Sequence, residues 1–165
     1  MKEINIEELQ FNPFSKIGKE WFLITSGNRE KYNTMTASWG FMGVMWNKNC
    51  IQAVVRPCRH TYGFLKENGT FTASFYSEKY REALAYCGSH SGRDVDKAKE
   101  TGLTPVFDEP YVYFGEAELV ICCKKLYVQD MSGGEFVTGL DKTFNSGDPA
   151  HCQFIGEIAK AYVRD

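Results

Sequence analysis

Residues Tyr111 to Val128 read YVYFGEAELVICCKKLYV. Tyr, Phe, Val and Ile crowd this run. Such side chains suit a pleated surface better than a helix, where they lose rotamer freedom. The run predicts a long β stretch, bent or bulged at Gly115. Cys122 and Cys123 are adjacent within it, so a strand points them to opposite faces and they cannot chelate one ion as a pair.

The same texture recurs on both sides. Trp21–Thr25 (WFLIT) predicts a strand, with Ser26-Gly27-Asn28 as the turn after it. Asn33–Met45 reads as strand, loop, strand. Cys50–Arg56 (CIQAVVR) is a buried strand that Pro57 stops, and Thr70–Tyr76 (TFTASFY) alternates as a strand does. A loop holding Gly133-Gly134 and Asn145 to Pro149 precedes a last strand, Cys152–Val163. Three short helices fall between: one capped by Thr61, running to Lys66 and ended by Gly69; one capped by Ser77, with Tyr80, Leu84 and Cys87 on one face and Gly88 as its stop; one capped by Asp94 and ended by Gly102. No βαβ rhythm appears. The class is mainly β, an antiparallel barrel or sandwich with peripheral short helices.

At 165 residues the chain predicts a single domain, 1–165. Nineteen basic and 21 acidic residues give a net charge of −2, which argues against nucleic-acid binding. No apolar run is long enough to span a membrane, and Met1 to Phe14 lacks the apolar segment of a signal peptide. The expected setting is the cytoplasm, with Cys50, Cys58, Cys87, Cys122, Cys123 and Cys152 as reduced thiols. Cys87 with His90, and Cys58 with His60, lack the second half of a zinc site, so no metal is expected. Aromatic residues make up 15%, enough to fill a core and also to line a planar-ligand site or an interface.

Four stretches offer chemistry. Arg56-Pro57-Cys58-Arg59-His60-Thr61 joins a strand end to a helix start. Oriented N–H groups, a hydroxyl and two guanidinium forks there suit a phosphate, although a surface Arg pair beside an ordinary cap has the same composition. Asn33-Thr34-Met35-Thr36-Ala37-Ser38-Trp39-Gly40 combines small polar residues with a flat apolar face, which suits a planar heterocycle or a strand with Thr and Ser in solvent. Gly88-Ser89-His90-Ser91-Gly92 has His where a nucleophile elbow needs Ser. Ser91, Arg93 and Lys97 can instead serve an anion, or the stretch is an interhelical loop. His151 precedes the last strand. A Cys–His hydrolase using Cys58 or Cys152 is the weaker alternative.

In order along the chain, WFLIT (21–25), NTMTASWG (33–40), VRPCRHTY (55–62), FTASF (71–75), SGRDVDK (91–97), TGLT (101–104) and the segment from His151 through FIGEI (154–158) resemble the flavin reductase-like family. The resemblance runs from about residue 20 to 160 and is closest to the flavoredoxin-type branch. It implies an antiparallel Greek-key split β-barrel that binds FMN and forms a homodimer, with FMN near the subunit interface. It implies that Asn33, Thr34, Met35, Thr36, Ala37, Ser38 and Trp39 run along the flavin. Arg56, Arg59 and Thr61 would hold the phosphate, helped by Ser91, Arg93 and Lys97. His151 would lie near the ring as the candidate catalytic residue. The activity implied is an NAD(P)H:flavin reductase taking hydride from NADH or NADPH. The alternative is an electron carrier serving a redox partner protein. The sequence departs from many members in placing Trp39, Phe41, Met42 and Trp46 where small hydroxyl residues are common.

Overall fold

A computed structural model describes residues 1–140 and 149–164, and over them the β-rich runs pair antiparallel. The strands are β1 Lys2–Ile4, β2 Phe22–Gly27, β3 Tyr32–Ala37, β4 Gly40–Met45, β5 Lys48–Val55, β6 Thr70–Phe75, β7 Pro105–Asp108, β8 Tyr111–Phe114, β9 Leu119–Asp130 and β10 Cys152–Val163. The helices are α1 Pro13–Ser15, α2 His60–Glu67, α3 Arg81–Ser89 and α4 Lys97–Thr101. The main sheet runs β3-β2-β6-β9-β10-β5-β4, with β1 added to β10 and a separate β7-β8 pair. Beside the hairpins β2-β3, β4-β5 and β9-β10, the pairs β2-β6, β6-β9 and β10-β5 join strands that are not consecutive in the chain, as Greek-key connections require.

One core draws Phe22, Ile24, Ile51, Phe71, Phe75, Ile121, Cys123 and Phe154 from both halves of the sheet, so the sheet curls around it. A second core, of Leu23, Leu84, Cys87, Tyr111, Phe114, Val120 and Cys122, lies beneath α3 and the β7-β8 pair. Cys122 and Cys123 thus face different cores, as strand alternation requires. The two ends of the sheet path, β3 and β4, are consecutive in the chain and joined by Ser38 and Trp39. The curl stays split at this point.

Several boundaries differ from the sequence expectation. The run from Tyr111 is two strands: it leaves the β7-β8 pair at Gly115, whose N–H bonds Thr104 O at 2.9 Å, and enters the main sheet at Leu119. Ser26 and Gly27 still pair in β2. The turn comes afterwards, where the Asn28 carboxamide accepts from the N–H groups of Glu30 and Lys31. Thr61 does not cap its helix. α2 starts at His60 with Arg59 in the extended cap position, and Thr61 lies buried in the first turn. Asp94 closes a turn back to Ser91, so the cap of α4 is Asp96, whose carboxylate accepts from Lys99 N–H. The helix after Ser77 opens with a tight turn, Glu78–Tyr80, and passes through Gly88 to Ser89. Residues 145–148 of the expected late loop lie outside the described residues. Among the described residues no helix is long and apolar enough to cross a membrane.

β10 carries a register shift at Ile155/Gly156. A side chain at Gly156 would meet Cys123 Cβ and the Phe71 ring, each at 2.7 Å, so the close approach of β10 to the core requires glycine there.

Candidate functional site

β5 ends at Val55, and the chain turns through Pro57 into α2. The last turn of α3 and residues 89–93 face this turn across a cleft of about 540 Å³. Arg56, Arg59, Arg93 and Lys97 contribute cations to its lining, which contains no Asp or Glu. The carbonyls at the end of α3 carry the negative pole of the helix. Cations occupy them: Arg59 Nη1 donates to Gly88 O at 3.3 Å, and Lys97 Nζ donates to Cys87 O at 2.7 Å and to Thr34 O at 2.9 Å. Arg93 Nη1 donates to Cys58 O at 3.3 Å, tying the two rims together. Each guanidinium has five N–H donors, so these bonds leave the forks able to take an anion.

The cationic field is felt by its neighbours. His60 is held below the ordinary imidazole value, first by burial and then by Arg93 and Lys97, with Asp94 opposing. Burial likewise pulls the Lys97 ammonium below the usual lysine range.

Asn33 organises the floor. Its Nδ2 donates to Thr61 Oγ1 at 2.8 Å, which leaves the Thr61 O–H as a donor. Its Oδ1 abuts Gly92 so closely that no Cβ fits there. One amide thus registers the α2 start and the 89–93 loop against β3.

A narrower slot of about 170 Å³ continues from the cleft through the shared residues Met35, Arg56 and Arg59. It lies in the split of the sheet, between Thr36–Trp39 on one side and Val54, Val55 and His151 on the other. Arg56 Nε donates to His151 Nε2 at 3.2 Å, and the Trp39 and His151 rings lie 5.1 Å apart at 44°. Cys152 pairs with Val55, so Arg56 and His151 are the next cross-strand position as β5 ends and β10 begins. The Thr34 carbonyl accepts from Lys97, so it faces the free edge of β3. By strand alternation the main chain of Thr36 faces the same edge.

The structure therefore gathers Asn33, Met35, Arg56, Arg59, Thr61, Ser91, Arg93 and Lys97 around the cleft, and Met35, Thr36, Ala37, Ser38, Trp39, Arg56, Arg59 and His151 around the slot. Thr34 lines neither: its hydroxyl accepts from Thr25 Oγ1 at 2.8 Å and donates to Ile24 O at 3.2 Å. The Thr36 hydroxyl turns to Leu84 O in α3. The anion-facing group expected from the 91–97 stretch is a loop beside the α3 end, not a helix start. Sequence reasoning missed Cys58, His60, Gly88, Ser89, His90 and Gly92 as lining residues, although they lie inside stretches it singled out, and it missed Cys87, Val54 and Val55, which read only as helix and strand positions. Cys152 is 2% exposed, and burial raises its thiol, the opposite of nucleophile activation. Chemically, the arrangement suits a ligand with an anionic tail and a flat apolar head.

Comparison with known proteins agrees with this arrangement. The flavin reductase like domain matches residues 14–165. A search of curated proteins finds no match to the chain. Among solved structures, flavoredoxin of Desulfovibrio vulgaris (Miyazaki F) is 28% identical with a TM-score of 0.70, over 88% of this chain and 69% of that one. An FMN-binding protein from Thermus thermophilus with bound p-hydroxybenzaldehyde is 19% identical with a TM-score of 0.70, over 100% of this chain and 83% of that one. An NADH:FAD oxidoreductase of Streptomyces globisporus C-1027 is 17% identical with a TM-score of 0.65, over 88% and 75%.

Proposed function

Because the chain belongs to the flavin reductase-like family, we propose that it binds FMN and acts as an NAD(P)H:flavin oxidoreductase. The observation that carries this is the continuity, through Met35, Arg56 and Arg59, of a cation-lined cleft with a narrow slot walled by Trp39 and the Thr36–Ser38 main chain. A cleft wall without carboxylates fits a phosphate dianion, and a slot between a strand edge and Trp39 fits a flat ring. Arg59, Arg93, Thr61 and Ser91 would hold the phosphate, with Lys97 supplying charge from behind. The main-chain groups of Thr36 to Trp39 would meet the ring edge. When bound, the flavin supplies the two-electron chemistry, and the protein orients and tunes it. Hydride transfer needs no general base.

Homodimer formation is part of the proposal. β4 is an edge strand whose Phe41 and Val44 are 71% and 73% exposed, and Phe14 and Trp46 extend this apolar margin. A second copy covering it would also wall the slot beside Trp39. The proposed setting is the cytoplasm, where the six free thiols persist reduced.

A second function has its own support. The 28% identity to a flavoredoxin, and the bulk of Trp39 and Phe41 beside the slot, favour an electron carrier that meets a partner protein rather than a nicotinamide. Anaerobic mixing of the FMN-loaded protein with NADH and with NADPH separates the two. Rapid bleaching of the flavin band with either is the expected result. Bleaching only with dithionite or a reduced protein donor assigns the carrier.

A further inference from the structure

Arg56 and Arg59 are three residues apart and share one motif, and both line the junction of cleft and slot, yet the fold bonds them to different partners. Arg59 is bonded to the last turn of α3, on the wall of the larger cleft. Arg56 is bonded to His151 across the strand pair, and the His151 ring packs against Trp39 at the slot. For Nε–H of Arg56 to donate, His151 Nε2 must present its lone pair, which fixes the tautomer with the proton on Nδ1. His151 thus fastens a cation beside the slot.

Resting on the FMN assignment above, we infer that Arg56 is a ring-end residue that favours the reduced flavin, and that His151 is the positioning residue that holds it there. A bound flavin would supply two-electron chemistry in which an accepted hydride, two electrons and one proton, adds one negative charge to the ring. A fixed guanidinium beside the slot favours that charged product over the neutral oxidised ring. Arg59 and Arg93 face the phosphate, whose charge does not change on reduction, so they strengthen binding of both forms alike. The motif thereby divides its labour: one arginine for affinity, one for potential.

The test compares wild type with Arg56→Gln, Arg56→Lys, Arg59→Gln, His151→Gln and His151→Phe. Each is titrated with FMN and with riboflavin, in the oxidised state and after dithionite reduction. Losing a charge-assisted phosphate contact, Arg59→Gln should narrow the FMN-over-riboflavin preference by about tenfold or more and leave the reduced-over-oxidised ratio in place. Arg56→Gln should leave the FMN-over-riboflavin preference intact and lower the reduced-over-oxidised ratio about tenfold, a fall of about 30 mV for a two-electron couple. Arg56→Lys should recover most of that loss, because charge is the operative property. His151→Gln, whose amide oxygen can still accept from Nε, should keep the ratio, and His151→Phe should lower it.

An Arg56→Gln variant that loses phosphate discrimination as Arg59→Gln does, or that keeps the reduced-over-oxidised ratio, overturns the assignment of Arg56. An unchanged ratio in His151→Phe overturns the positioning role. Wild-type protein that binds neither flavin sinks the FMN assignment itself, and this inference with it.

Discussion

Thr61 is a small residue with two obligations. Its oxygen satisfies the buried Asn33 amide, and its proton is left to a ligand. Thr61→Val removes the acceptor and strands Asn33 Nδ2, so urea denaturation should show a loss of about 1–3 kcal/mol, with Thr61→Ser recovering most of it. His60 reports on the same cleft. Its folded value lies below the unfolded one, so the unfolded chain protonates first, and this group's stabilisation is present above about pH 6.5 and lost as pH falls through the folded value. An anion that neutralises Arg93 and Lys97 should raise the His60 titration, and NMR of its ring protons with and without FMN should show the move. At this scale residue types were legible in the sequence, but pairings were not. Asn33 and Thr61 are 28 positions apart. Only the meeting of β3 with the start of α2 turns two polar residues into a donor and an acceptor. Lys97 reads as an exposed donor, yet it lies 6% exposed, tied to two carbonyls.

Elements were legible where one residue decides and illegible where a partner does. Pro57 ends β5 and Gly102, at φ 70°, ends α4, because each acts through its own backbone. Thr61 and Asp94 look like caps, but burial claimed the first and a turn to Ser91 the second. The break at Gly115 is hidden because both sides carry the same β-rich texture, and only the second sheet shows which part goes where. The β4–β5 hairpin turns on Trp46 and Asn47, both left-handed at φ 54° and 57°, where Asn-Gly is the favoured pair. Asn47→Gly should therefore stabilise the protein by up to about 1 kcal/mol, visible as a rise in Tm. Trp46 keeps its conformation through its ring, 5.9 Å from that of Tyr127. Gly156→Ala should act the other way. Its methyl group would enter the space of Phe71 and Cys123, and overpacking of this kind costs about 1–3 kcal/mol by chemical denaturation.

Across the molecule a net charge of −2 conceals a basic cleft. A net charge near zero argues against a general nucleic-acid binder, but it does not show the local gathering of cations from the β5–α2 turn, the 89–93 loop and α4. FMN affinity should fall with rising salt while riboflavin affinity stays nearly level, because screening acts on the phosphate contacts. The proposed dimer predicts that Phe41→Glu shifts the sedimentation coefficient towards the monomer and weakens flavin retention, since the exposed margin and the slot share Trp39. The split of the sheet could not be read from any one stretch, because it exists only where the first and last strands of the path fail to close. The doublet Cys122-Cys123 has a consequence for how the whole comes apart. β9 is a party wall: residues Leu119 and Ile121 to one side and Val120 and Cys122 to the other belong to separate cores. Neither compartment can melt and leave the other standing, so two cores behave as one cooperative unit. Trp21 emission, which watches the second core, and far-ultraviolet circular dichroism, which watches the sheet, should trace a single coincident transition.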